Sequence, residues 1–275
     1  MLILGYCCAI LMGMTLGLIG AGGSILTVPI LIYFFHIKPI LATTYSLLIV
    51  GLTALIGAIF YYQKKSVNFK AVFIFTIPST IAVIATRRFL IPNLPRDILA
   101  IPKENFFLLV FAVLMLIAAK MMVRPSKTIT KSDESRNDAA LHQFSRNGIS
   151  KKLKLLFGSL AVGLLTGLVG VGGGFLIVPT LIFLFKLEAG SAVGTSLAII
   201  AINALSGFKS DFVGEVAIDW VFLAAITSMT MLGMLFGGFL SKKFDGKKLK
   251  KIFAAMVSLV AIFIILNQVY YFRNC

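Results

Sequence analysis

Two glycine clusters are the residues of this chain best suited to chemistry with an anion. They are Gly20, Gly22 and Gly23, and Gly170, Gly172, Gly173 and Gly174. Each sits in the middle of an apolar segment, where glycine at that density breaks a helix. A helix restarting at Ser24 or Gly174 presents unpaired backbone N–H groups and about half a positive charge at its first turn. Glycine lets a ligand approach that backbone closely, so each break is a candidate anion site. Residues 24–35 make a short arm of about 12 positions, roughly 18 Å of helix. Pro29 and Pro179 are placed early in these arms, where a missing N–H costs little. The next apolar span of each half opens with A-T-T-Y-S (42–46) and A-V-G-T-S (192–196). Thr44, Ser46, Thr195 and Ser196, with Ser24, would add hydroxyl donors to a neutral pocket of amides and hydroxyls. The competing reading is structural. Small residues allow close helix packing, and membrane Ser and Thr often bond their own helix carbonyls.

The remaining polar residues are few. Arg87 and Arg88 end an apolar span, where they either snorkel to the interface or form a basic gate for an anion. Asn203 lies inside a span and reads as a bridge between helices. Lys209, Asp211, Glu215 and Asp219 read as a solvated charge cluster beside the loop that follows. No acidic residue is placed in mid-membrane, so no proton relay is expected. His36 and His142 have no partner at ligand spacing, so no metal site is expected. D-G-K-K-L-K-K at 245–251 is not a nucleotide-binding loop, and no nucleophile–base arrangement appears. The expectation is a protein with no cofactor and no catalytic residues, and not an enzyme.

The elements that must position these residues are repeated. Residues 17–29, G-L-I-G-A-G-G-S-I-L-T-V-P, return as G-L-V-G-V-G-G-G-F-L-I-V-P at 167–179. The offset is 150, and about 18 of the 41 positions from 17 to 57 are identical without a gap. Apolar stretches suited to crossing about 30 Å of hydrocarbon recur at 40–62, 71–86, 105–123, 153–171, 190–208, 218–240 and 252–272. The fold class expected is an all-α polytopic membrane protein built from two homologous four-span repeats. Each repeat has a glycine-broken, re-entrant-like first segment. The first repeat occupies 1–123, a polar linker 124–152, and the second repeat 153–275.

Loop charge decides how the broken segments run. If each crosses once, alternate loops carry about 12 and about 13 Lys and Arg, without bias. If each turns back, the two sides carry about 18 and about 7, which satisfies the positive-inside rule. The second copy then starts on the opposite face from the first, and the repeats are inverted. Both termini are expected outside, with the linker and the loop 241–251 in the cytoplasm.

Composition agrees with a membrane protein: 59% hydrophobic residues, 13% charged, and a mean hydropathy of +1.00. The net charge of +16 sits in short loops between apolar spans, so no nucleic-acid partner is expected. Cys7, Cys8 and Cys275 fit no disulfide or metal framework, and residues 1–20 read as a retained first helix rather than a signal peptide.

The duplicated G-L-x-G-x-G-G-[SG]-x-L-x-V-P-x-L, each copy followed by A-x-x-[TY]-S, resembles the TauE/SafE family of sulfite exporters. The resemblance covers nearly the whole chain except the linker. It implies a transporter of sulfite, organosulfonates such as sulfoacetate, or other small oxyanions, in the cell (inner) membrane. By position it implies roles for Gly20, Gly22, Gly23, Pro29, Gly170, Gly172, Gly173 and Pro179, with Ser46, Thr195 and Ser196. The halves differ in having Tyr45 opposite Thr195, and Arg87-Arg88 opposite Gly237-Gly238. The function expected is secondary transport of a small anion by alternating access where the repeats meet. The bilayer is the expected surrounding, and homo-oligomerisation is left open. A passive anion channel and a non-transporting membrane assembly protein are the alternatives.

Overall fold

The computed structural model describes residues 2–20, 23–93, 97–98, 101–123, 149–170, 172–185, 187, 189–211, 218–240 and 246–274. Gly22, Glu215, linker residues 124–148 and loop residues 241–245 lie outside the described residues.

The chain is helical almost throughout. In the first half, α1 (Leu2–Ile19) and the short α2 (Ser24–Tyr33) precede α3 (Pro39–Gln63) and α4 (Phe69–Ala85). A π-helical turn, Thr86–Leu90, and the brief α5 (Ile91–Asn93) extend α4. A two-residue antiparallel pairing, β1 (Asp97–Ile98) with β2 (Ile101–Pro102), leads into α6 (Lys103–Val123). The second half runs α7 (Ile149–Val169), α8 (Gly174–Leu184), α9 (Ala189–Asp211), α10 (Trp220–Leu240) and α11 (Gly246–Asn274). These helices cover the apolar stretches of the sequence to within a few residues.

Local chemistry sets several starts. Pro39 opens α3, where its missing N–H has no helical partner to lose. Asn68 caps α4, its Oδ1 accepting the Ala71 N–H at 3.1 Å. The Asp219 carboxylate accepts the Phe222 N–H at 3.0 Å ahead of α10. Pro29 and Pro179 correct an expectation: each is the sixth residue of its helix, past the first turn. There a proline withholds one hydrogen bond from the carbonyl four residues back.

Among the described residues, four helical segments are long and apolar enough to cross a membrane: Pro39–Gln63, Phe69–Asn93, Gly190–Asp211 and Trp220–Leu240. Their outer surface is apolar. Phe73, Ile77 and Ile81 form an exposed stripe at four-residue spacing on α4. Leu259, Phe263 and Leu266 form another at spacings of four and three on α11. In water each exposed side chain of this size forgoes about 1.5–3 kcal/mol of burial, whereas hydrocarbon removes that cost. The hydroxyls point the other way: Ser24, Thr53, Ser79, Ser196 and Thr230 are fully buried. An apolar exterior over a hydroxyl-bearing interior is the arrangement a bilayer selects.

Helix pairing is close where glycine permits. α1 packs along α10, and α7 along α4. A methyl group added at Gly13, Gly17, Gly233 or Gly237 would overlap a backbone carbonyl of the facing helix. Gly163 meets the Ser79 carbonyl in the same way. At the centre α3 lies against α9, α6 pairs with α11, α4 also touches α9, and α10 also touches α3.

Candidate functional site

Gly20 of the first cluster and Gly170 and Gly172 of the second lie against the central α3–α9 pair. Gly20 (φ +80°) abuts Val193 of α9, and its carbonyl accepts the Ser196 hydroxyl at 3.2 Å. Gly170 (φ +71°) abuts Thr43 of α3. Gly172 faces Val50 on α3 and Ile200 and Ala204 on α9. A side chain at Gly20 or Gly170 meets both a left-handed backbone and a facing helix, so only glycine fits there. Gly23, with φ −60°, instead presses on the Met12 carbonyl and Leu16 amide of α1, and Gly173 on the Thr166 hydroxyl of α7. Gly174 begins α8, and Ser24 begins α2 with its carbonyl accepting from Thr27 at 3.0 Å.

The hydroxyls divide by surroundings. The Ser46 Oγ is buried without a hydrogen-bond partner among the described residues. Ser196 bonds the Val193 carbonyl as well as Gly20. Thr195 Oγ1 accepts the Asn68 N–H at 3.0 Å and so anchors the start of α4. Tyr45, its sequence counterpart, accepts the Asp219 N–H at 2.9 Å ahead of α10. The two residue types differ, yet each holds the entrance of a helix in the other half. Asn203 bridges α9 to α4, its Oδ1 accepting from Thr80 at 2.6 Å and its Nδ2 donating to Ser79 at 3.0 Å.

Arg87 overturns the snorkelling expectation. It is 5% exposed and sits in the π-helical turn, while Arg88 is exposed. Such a turn widens the helix by one residue and is common at functional sites. Asp211 is likewise not part of a solvated cluster. Its Oδ2 accepts Arg87 Nη1 at 2.6 Å and the Thr44 hydroxyl at 2.7 Å, and its side chain is 12% exposed. Thr43 Oγ1 also lies 3.4 Å from Nη1. The pair therefore ties the end of α4 to the end of α9, with α3 between them.

Half of the guanidinium remains unused. Arg87 Nε and Nη2 are buried without a hydrogen-bond partner among the described residues. A methyl group at Gly170 would overlap Nη2, so the second glycine cluster is what leaves room for this edge. A buried donor left unmade costs about 1–3 kcal/mol, more when charged. Arg87 and Thr43 are the polar side chains lining a cavity of about 30 Å³ between α2, α3, α6 and α7. The rest of its lining includes Val28, Ile40, Phe107, Phe111 and Leu168.

Sequence reasoning missed Asp211 and Thr43. The available signal was the carboxylate nearest the end of one apolar span and an arginine closing another, since opposite charges so placed can neutralise each other inside.

A protein helical almost throughout, with an apolar exterior, buried hydroxyls and several helices long enough to cross a membrane, is a multi-pass membrane protein. The chain matches the family model described as "Sulfite exporter TauE/SafE" over residues 6–264. It is 29% identical over 266 residues to a "Probable membrane transporter protein" of Xylella fastidiosa, covering 93% of this chain and 91% of the relative. It is 26% identical over 271 residues to "Probable membrane transporter protein YunE" of Bacillus subtilis, covering 92% and 93%. A "Probable membrane transporter protein" of Methanocaldococcus jannaschii is 35% identical over 123 residues, 42% of this chain and 43% of that protein. No solved structure matches the chain significantly. The chain belongs to the TauE/SafE sulfite exporter family, a family of membrane transporters.

Proposed function

We propose that this protein is a secondary transporter of small anions in the cytoplasmic (inner) membrane. Sulfite, organosulfonates or related sulfur oxyanions are the favoured cargo. It works by alternating access at the interface of two inverted repeats, with Gly20, Gly22, Gly23, Gly170, Gly172, Gly173 and Gly174 and the nearby hydroxyls beside the pathway.

The observation that carries this reading is an exchange relation among helix contacts. Replacing each helix by the one 150 residues away turns the α1–α10 pair into α7–α4, and α3–α10 into α9–α4. The α3–α9 and α6–α11 pairs map onto themselves. Residue contacts follow the same exchange. The Thr53–Thr230 contact at 2.8 Å has its counterpart in Asn203–Thr80, and Gly20–Val193 in Gly170–Thr43. A two-fold relation with Gly20 and Gly170 against its central helix pair supports a site that either half can open. The loop-charge balance supports an axis in the membrane plane.

The test is heat stability of the purified protein in sulfite, sulfate, thiosulfate, sulfonates and carboxylates. A ligand that binds only the native state raises apparent stability by RT ln(1 + c/Kd) at free concentration c. Sulfite or a sulfonate should raise it above chloride at equal ionic strength. Identical curves in every anion would defeat the reading.

A further inference from the structure

We propose that Arg87, Asp211 and Thr44 form a latch across one end of the central helix seam, and that this latch holds the resting protein shut at that end. The proposal rests on the alternating-access reading and names the residues that gate one side of it. The loop-charge balance puts this end outside.

The latch joins parts that must separate. Arg87 and Thr44 belong to the first half of the chain and Asp211 to the second. One oxygen, Asp211 Oδ2, accepts Arg87 Nη1 at 2.6 Å and the Thr44 hydroxyl at 2.7 Å, so a single carboxylate holds α4 and α3 against α9. One turn inward, the same three helices meet again. A methyl group on Gly207 of α9 would lie 3.0 Å from Val83 of α4 and 3.2 Å from Leu47 of α3. Leu47 and Val83 are fully buried. The next turn brings Val50 of α3 and Ala204 of α9 against Gly172 of the second glycine cluster. The latch is thus the outermost of three layers above that glycine. Parting α9 from α3 and α4 to open this end must break the ion pair.

The other end has no such device in its sequence. The exchange relation carries Arg87 to Gly237, Thr44 to Gly194 and Asp211 to Tyr61, which offer no opposite charges. Tyr61 donates to the Gly17 carbonyl at 3.0 Å, a bond within the first half that separation of the halves leaves intact. Lys64 does cross to the second half there, but onto the Gly238 carbonyl at 3.4 Å, outside the usual 2.7–3.2 Å range. Other contacts are matched between the ends. Thr195 with the Asn68 amide answers Tyr45 with the Asp219 amide, and Gly57 against Leu197 answers Gly207 against Leu47. An interaction made in one state and lost in the other shifts the population toward the first. A charged latch at one end of an otherwise matched pair therefore biases the protein toward closure at that end.

The experiment uses the full chain without native cysteines, purified in detergent, with either Leu47→Cys or its exchange partner Leu197→Cys. Both leucines are fully buried. A water-soluble maleimide reaches each thiol when its own end opens, so the ratio of the two rates reports the balance of states whichever face is outside. In the parent protein the Leu197→Cys thiol should react faster. Asp211→Asn removes the charge pair with little change of shape. It should raise the Leu47→Cys rate at least fivefold while the Leu197→Cys rate stays level or falls. Should that variant fold poorly, Arg87→Met/Asp211→Ala leaves no orphan charge and should shift the ratio the same way. A pair that only stabilised the fold would, once removed, raise both rates together. That result, an unchanged ratio, or a faster Leu47→Cys thiol in the parent would overturn the latch and leave alternating access standing. Thiols that stay unreactive in parent and variants alike, yet react after denaturation, would remove the latch and alternating access together.

Discussion

Removing the Asp211 carboxylate should be among the most destabilising changes available at the end of α9. In Asp211→Ala, the Arg87 guanidinium stays 5% exposed but loses the oxygen 2.6 Å from Nη1, and Thr44 loses its acceptor at 2.7 Å. Breaking a buried ion pair on one side costs about 3–5 kcal/mol, because the surviving charge is left uncompensated. For a chain of this size each kcal/mol lowers Tm by about 2–4 °C, so a fall on the order of 10 °C is predicted. Arg87→Met should cost less. Its thioether chain fills the space of the arginine stem, and the remaining carboxylate is more exposed and keeps the Thr44 hydroxyl. The double variant Arg87→Met/Asp211→Ala should then be more stable than Asp211→Ala alone, since no orphan charge remains. The assay is a double-mutant cycle on apparent Tm at one scan rate in one detergent, which isolates the pairwise coupling. A cycle in which the two single losses simply add, or an Asp211→Ala protein melting with the wild type, would refute the buried-pair argument.

Three further outcomes are expected. Gly237→Ala should destabilise by about 1–3 kcal/mol through overlap with the Met14 carbonyl, whereas Gly190→Ala, with open space around it, should be neutral or slightly stabilising; melting curves of the two compare them directly. Thr195→Val and Tyr45→Phe should each cost about 1 kcal/mol by orphaning the Asn68 and Asp219 amides, and anion affinity measured on the same samples should stay unchanged if these residues only anchor helices. A cysteine at Ser132, on a background lacking native cysteines, should react with an impermeant thiol reagent only after the membrane is opened. Labelling of intact cells there would reverse the assigned sidedness.

The helical, membrane-spanning class was legible because a bilayer imposes one rule on every span: long, apolar and internally hydrogen-bonded. The positions of Pro39–Gln63 and Trp220–Leu240 follow from hydropathy alone. What the sequence concealed depends on which helix faces which. Arg87 and Asp211 are 124 residues apart, and an arginine closing an apolar span reads the same whether it snorkels outward or turns inward. Its partner became visible only when α4 and α9 were seen side by side. Thr195 illustrates the converse. A hydroxyl beside a glycine motif suggested a ligand contact, but its neighbour in space is the first amide of another helix. The prolines misled more simply: the arms begin at Ser24 and Gly174 as expected, but a sixth residue lies past the four N–H groups that a helix start leaves free.

The most direct test of anion transport is solute counterflow in liposomes holding the purified protein. Vesicles are loaded with unlabelled ethanesulfonate and diluted into a trace of labelled ethanesulfonate. The account predicts transient, saturable accumulation of label that requires the internal anion, and no single-channel currents in planar bilayers. Label entering no faster than into protein-free vesicles, or discrete channel currents carried by the same anion, would contradict it.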